Sequence, residues 1–149
     1  MPNLLIDTNL LLLLVVGSTD RSYVSRHKRL QAYSLEDYDK VMSIVSGYSG
    51  LVTCPNVWTE TSNLVRYAPE PIRSRSSETL KTLIGRSTET YVESRRAATR
   101  REYSQLGLTD AVLLVLAESG STLLTDDLDV YLAAGKAGHT AINYNHLRD

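Results

Sequence analysis

Six carboxylates in this chain stand at the ends of apolar segments. Asp7 follows "LLI", Glu60 lies in "PNVWTETSNL", Asp110 precedes "AVLLVLA", and Asp126, Asp127 and Asp129 follow "STLLT". A carboxylate buried without a partner costs several kcal/mol, so each must be tied up locally or kept for chemistry. Singly, each has a structural use. Asp7 and Asp127 can cap the helices behind them, Asp110 can complement a helix dipole, and Glu60 can pair with an arginine. On a helical projection Glu60 stands at i+3 from Val57 and i−4 from Leu64, along the expected core-facing stripe. Brought together, these acids repel one another and require a cation. The donors are carboxylate oxygens, with one cysteine in the chain and no HExxH pair, so Mg2+ or Mn2+ is expected rather than zinc. Oxygen cages of this kind serve phosphate chemistry, above all hydrolysis. Thr8, Asn9 and Thr125 add neutral hydrogen bonds that can aim the carboxylates. His27, His139 and His146 are scattered and are expected in loops or on the surface, with His27 in reach of an anionic ligand.

The elements that would position these residues follow from hydrophobic patterning. Asn3 to Ile6 is a short apolar run ended by Asp-Thr-Asn, which suits a strand buried on both faces. Leu10 to Val16 then starts a helix ending by Gly17, and Ser18 to Tyr33 is loop or short helix. Leu35, Tyr38, Val41, Met42 and Val45 recur at helical spacing behind an N-cap Ser34 with Asp37 three residues on. Leu51 to Thr53 reads as a second strand, with Pro55 in the first turn of the next helix. Two amphipathic helices broken at Gly85 are expected between Arg66 and Gln105. A helix over Thr109 to Glu118 with a threonine N-cap follows, then a strand over Ser121 to Thr125. Leu128 to Ala134 forms a helix closed by Gly135, and Thr140 to Tyr144 a last strand. Alternating strands and helices imply one α/β domain over 1–149, an open parallel sheet with helices on both faces. Ligands then bind outside the carboxyl ends of the strands, where the acids are.

Composition agrees with a single domain: at 149 residues, 42% hydrophobic and 22% charged, the chain is neither disordered nor fibrous. The lone Cys54 excludes an internal disulfide framework and suits a reducing, cytoplasmic setting. Leu10 to Val16 is far short of the roughly 20 apolar residues that span a bilayer, and the start of the chain has no basic signal-peptide region. The net charge of −1 hides an uneven distribution, because nine of 16 Lys and Arg residues lie from Arg66 to Arg101 and four from Arg21 to Arg29. A helix over "ESRRAATRRE" would put Arg96 and Arg100 at i, i+4 with Arg95 beside them. Glu89, Glu93 and Glu102 are close enough in sequence to pair with these arginines. A basic rim around an acidic centre is also what a nuclease needs to hold backbone phosphates. Tyr67, Tyr91 and Tyr103 can stack on unpaired bases, with core packing the expectation for at least one.

Taken in order, "LLIDTN", "PNVWTETSNL", "GLTDAVLLVLA" and "LLTDDLDVYLAAG" resemble the four acidic motifs of the PIN-domain nucleases, above all the VapC-type toxins of toxin-antitoxin pairs. The resemblance spans nearly the whole chain and implies a PIN-like, Rossmann-like fold with a small parallel sheet between helices. It places the metal-binding, catalytic acids at Asp7, Glu60, Asp110 and Asp127. The family's Thr-x-Asp-x-Asp pattern selects Thr125, Asp127 and Asp129, leaving Asp126 as the variable position. The implied activity is a Mg2+- or Mn2+-dependent endoribonuclease, with RNA held by residues such as Arg26, Arg29, Arg95, Arg96 and Arg100. A homodimer silenced by an antitoxin is implied with it. Gly17 to Tyr33 is longer and more basic than in compact toxins, which keeps a stand-alone RNase in defence or RNA processing as an alternative. A receiver-like signalling domain would need a second acid after the first strand and gives Glu60 no role. In a non-catalytic interaction domain the acids would only cap helices.

Overall fold

In the computed structural model, which describes residues 2–148, five short parallel strands form one sheet in the order β3-β2-β1-β4-β5. The sequence-based domain bounds reach one residue further at each end, and Met1 and Asp149 lie outside the described residues. The strands are β1 (Leu4–Ile6), β2 (Leu51–Thr53), β3 (Thr88–Glu89), β4 (Thr122–Thr125) and β5 (Ala141–Asn143). Leu5 of β1 sits opposite Val52 on one side and Leu123 on the other, so the first strand is central, as its unbroken burial requires.

The helices are α1 (Thr8–Thr19), α2 (Leu35–Ser46), α3 (Pro55–Val65), α4 (Ile72–Arg86), α5 (Ser94–Ala98), α6 (Tyr103–Leu106), α7 (Leu108–Ala117) and α8 (Leu128–Lys136). The chain winds from β1 to β3 in one direction and then crosses to β4 and β5 in the other. Right-handed crossovers therefore put two helix groups on opposite faces. α1 packs on α2, α3 and α4, whereas α7 packs on α5, α6 and α8. Both α1 and α7 are apolar nearly all round, and every residue from Leu10 to Gly17 and from Ala111 to Ala117 is buried. These two helices supply the longest unbroken runs of core residues, each fully buried leucine or valine stabilising by about 1.5–3 kcal/mol.

The capping box on α2 forms as its sequence specifies: Ser34 Oγ accepts from Asp37 N at 3.2 Å, and Ser34 N donates to Asp37 Oδ2 at 2.8 Å. Elsewhere the boundaries differ from the sequence-based expectation. α1 begins at Thr8 because Asp7 caps it, and it runs through Gly17 to Thr19. α4 and α8 likewise run through Gly85 and Gly135, neither of which has a backbone conformation that only glycine can adopt. α7 is entered from Gly107 at φ +89°, so Thr109 lies inside the helix instead of capping it. The expected helix through "ESRRAATRRE" stops at Ala98, which leaves Arg100 beyond its end. The two-residue edge strand β3, polar and exposed, has no sequence signal.

Gly17 carries a packing constraint. A Cβ at this position would run into the ring of Tyr38 on α2, which is held in place by a 3.0 Å hydrogen bond between its hydroxyl and Ser18 Oγ. In an open helix, replacing glycine by alanine stabilises by up to about 1 kcal/mol. Here the clash reverses the sign: Gly17→Ala should lower stability by about 1–3 kcal/mol in a denaturant titration. Gly85→Ala, with open space around the new methyl group, should be neutral or stabilising.

Candidate functional site

The point where the winding direction reverses lies between β1 and β4, and the carboxyl ends of these strands open a crevice there. It is a cleft of about 390 Å³ lined by Asp7, Thr8, Asn9, Arg29, Glu60, Asn63, Leu64, Asp110, Asp126 and Asp127. The acids singled out from sequence thus come from four separate elements to one place, with Asp129 the exception. Asp129 is exposed on α8 and lines a different groove beside Arg100, Arg101 and Lys136.

Asp7 is the deepest acid, 7% exposed. Its backbone N donates to Leu124 O at 3.1 Å, and one carboxylate oxygen accepts from Asn9 N at 3.3 Å as the cap of α1. The other oxygen accepts from the hydroxyl of Thr125, a fully buried residue at the end of β4. Thr125 Oγ1 in turn accepts from Asp127 N at 3.0 Å, so one hydroxyl fixes two acidic loops. Burial pushes the Asp7 carboxyl up to about 7, with the negative charges of Asp126 and Asp110 acting in the same direction and the Thr125 hydrogen bond opposing them. Half-buried Asp110, in the first turn of α7, is pushed up to about 6 by burial first and then by the charges of Asp127, Glu60 and Asp126. Asp7 and Asp110 therefore feel, between them, the charges of Glu60, Asp126 and Asp127.

The tandem aspartates divide their tasks. Asp127 is exposed and caps α8, its Oδ1 accepting from Asp129 N at 2.8 Å and Val130 N at 3.2 Å. Asp126 is half-buried, and its Oδ2 accepts from the Tyr33 hydroxyl and from Asn9 Nδ2 at 3.4 Å, while its backbone O accepts from Asn145 Nδ2 at 2.8 Å. Asp126 thus lines the cleft together with Asp127. Tyr33, which carries no sequence signal as a site residue, is its main support, and burial followed by this hydrogen bond raises the phenol pKa. Arg148 lies over the Tyr33 ring at 4.9 Å and binds Asp37 at 3.1 Å, tying the site to the cap of α2.

Glu60 departs from the core-stripe expectation. The buried face of α3 is Val57, Trp58, Thr61 and Val65, and Glu60 is exposed beside it. There it accepts a hydrogen bond from Thr109 Oγ1, next to Asp110 in sequence.

The sequence-predicted basic rim separates into paired and unpaired members. Arg95 pairs with Glu93 at 3.3 Å, Arg96 with Glu118 at 3.3 Å, and Arg100 with Glu102 at 3.1 Å and Glu118 at 3.7 Å, so the salt-bridged alternative holds for them. Arg26 stacks on Tyr23 at 5.5 Å. Arg29 alone among these five arginines lines the cleft. Tyr67, Tyr91 and Tyr103 are all exposed, and none of them packs in the core. His27 is buried at 1% exposure and accepts from Arg29 N through Nδ1 at 3.1 Å, so its role is to shape a loop.

Among the described residues no three His, Cys, Asp or Glu side chains converge tightly enough to enclose a metal ion by themselves. The donor chemistry nonetheless fits a hard divalent cation, since Mg2+ is commonly held by one or two carboxylates with water filling its other positions. Two acids whose protons are held by burial and by their neighbours' charge are also groups that a cation would restore to full ionisation.

No family model matches the chain, and no curated protein does. Among solved structures the chain is similar to a domain of a functionally unknown protein from Methanocaldococcus jannaschii, at 20% identity and a TM-score of 0.49, over 95% of this chain and 90% of that one. Among the described residues no helix is long and apolar enough to cross a membrane.

The raised acids set a pH dependence whose sign is fixed. Above about pH 4 an unfolded chain releases these protons, whereas the folded protein retains them until pH 6–7. The folded state binds more protons in that window, and stability falls as pH rises through it. With EDTA present, the denaturation midpoint should fall between pH 5 and pH 8. Asp7→Asn, which keeps a competent helix cap, should flatten this slope and gain up to a few kcal/mol at pH 8.

Proposed function

We propose that this protein is a metal-dependent endoribonuclease that hydrolyses RNA phosphodiester bonds. The reading rests on one observation above the rest: Asp7, Glu60, Asp110, Asp126 and Asp127 are gathered from four elements into one open cleft at the switch point of a parallel sheet. Helix capping accounts for Asp7 and Asp127. It gives no reason for Asp110 to stand half-buried among other acids, or for Tyr33 and Asn9 to hold Asp126 toward them.

Asp7, Asp110 and the tandem Asp126-Asp127 would hold Mg2+ or Mn2+, which supplies charge neutralisation and electrophilic help at a phosphate. The chain's own groups do the positioning. Thr125 and the Asn9 amide fix both oxygens of Asp7, Tyr33 and the Asn9 side chain orient Asp126, and Thr109 orients Glu60. Glu60, exposed and, unlike Asp127, not engaged in a helix cap, is the carboxylate suited to accept a proton from an attacking water. The resemblance to VapC-type toxins extends the proposal to a homodimeric toxin held silent by an antitoxin, with a stand-alone RNase as the narrower alternative.

Purified protein with Mg2+ or Mn2+ should cut labelled cellular RNA, and either EDTA or Asp110→Asn should abolish cutting while the folded state persists. Absence of cutting on any RNA, together with no rise in melting temperature on adding either metal, would return the five acids to structural roles. Tyr33→Phe should reduce cleavage by about 10- to 100-fold without loss of fold, because it removes a hydrogen bond that orients Asp126. Wild-type rates in that variant would mean that Asp126 is not among the working acids.

A further inference from the structure

Arg29 differs from the other cations that the sequence placed on the rim. It lines the acidic cleft, yet no hydrogen bond or ion pair joins its guanidinium to a carboxylate among the described residues. Its backbone is fixed on both sides. Arg29 N donates to Nδ1 of the buried His27, and Leu30, fully buried, donates its N to His27 O at 3.0 Å. The Arg29 guanidinium lies 5.7 Å from the ring centre of Tyr67, which is 54% exposed.

Tyr67 continues the row Glu60, Asn63, Leu64 at i, i+3, i+4 and i+7, and the first three of these line the cleft. Its N donates to Leu64 O at 3.1 Å, so the turn carries on past the end of α3. Two helical turns put Tyr67 about 10 Å along the axis from Glu60. A guanidinium without a carboxylate partner thus lies over an exposed aromatic ring at the mouth of an acidic cleft.

We propose that Arg29 and Tyr67 form a one-nucleotide subsite for single-stranded RNA next to the cleft, with Arg29 binding a backbone phosphate and Tyr67 stacking on the attached base. The fork of a guanidinium matches phosphate oxygens, and stacking on the tyrosine pre-orients that fork. An aromatic face takes an unpaired base, whereas a base inside an A-form duplex has both faces covered. The subsite also supplies positive charge where a polyanion must approach five carboxylates. It deepens the nuclease reading by naming the strandedness of the substrate, and RNA binding tests it separately from cleavage.

The experiment is fluorescence anisotropy of a short labelled single-stranded RNA with the Asp110→Asn protein in Mg2+, so that no cutting intervenes. Added Arg29→Ala should weaken binding about tenfold and lower the slope of log affinity against log salt by about 0.7, the share of one phosphate contact on a single strand. Added Tyr67→Ala should weaken binding about tenfold with the salt slope unchanged, and Tyr67→Phe should bind like the parent. Arg21→Ala, whose guanidinium is paired with Asp39 on the surface and does not line the cleft, serves as the control and should have little effect. The subsite is overturned if Arg29→Ala and Tyr67→Ala bind within twofold of the parent, if blunt duplex RNA binds as tightly as the single strand, or if the parent binds no RNA. RNA binding with these losses, but no cleavage by the wild-type protein, would leave the subsite standing and remove the nuclease reading.

Discussion

The repulsion among carboxylates drawn to one edge of the sheet is the constraint on which the rest of this structure depends. A fold does not gather five acids without cost, and here burial first and mutual repulsion second hold two carboxyls up near neutral pH. Thr125 makes the arrangement possible. Its buried hydroxyl donates to Asp7 and accepts from Asp127 N, so the ends of β1 and β4 are locked at the distance where their acids interact. The apolar weight of α1 and α7 behind these strand ends supplies the stability that the arrangement consumes.

Support for the cleft also comes from residues far away in sequence. Arg148 stacks on Tyr33 and pairs with Asp37, which accepts the Tyr144 hydroxyl at 2.7 Å, while Tyr33 donates to Asp126 and Asn145 reaches the Asp126 carbonyl. The long polar stretch after α1 and the last turn of the chain thereby meet on a single aspartate. This explains why Ser18 to Tyr33 is ordered despite little regular structure. Beyond the end of α1 at Thr19 only a 3-10 segment at Arg21–Arg26 forms in it, and Tyr23, Val24, His27, Leu30 and Tyr33 are buried along its length.

Much of this was legible in the sequence, for physical reasons that differ by residue. The central strand, α2 with its capping box and the apolar helix after Asp110 were readable because periodicity and caps are local signals. The edge strand β3 was not, since two exposed residues carry no pattern and pair only because Val52 and Thr53 are already in place. Glu60 was assigned to a core stripe from spacing alone, but the buried face of α3 is turned by Trp58 and Thr61, and the glutamate falls just outside it. Tyr33 and Thr109 were invisible as site residues because their partners lie 93 and 49 residues away. The arginines of α5 and its flank find a partner that their spacing does not reveal, for a related reason. Glu118, which pairs with two of them, belongs to the far end of α7.

The adjacent aspartates show how far a motif can go without geometry. A Thr-x-Asp-x-Asp pattern selects Asp127 and sets Asp126 aside, because the spacing is counted along the chain. In the folded protein Asp127 commits an oxygen to two backbone N–H groups at the start of α8, and a carboxylate so engaged is oriented by the helix. Asp126 has no helix to cap. Its orientation is set by Tyr33 and Asn9, and its charge is the largest that Asp7 feels. The two neighbours therefore serve complementary ends of one cleft, Asp127 beside Asp110 and Asp126 beside Asp7. Losing either would relieve a different one of the two raised acids of the largest negative charge that acts on it.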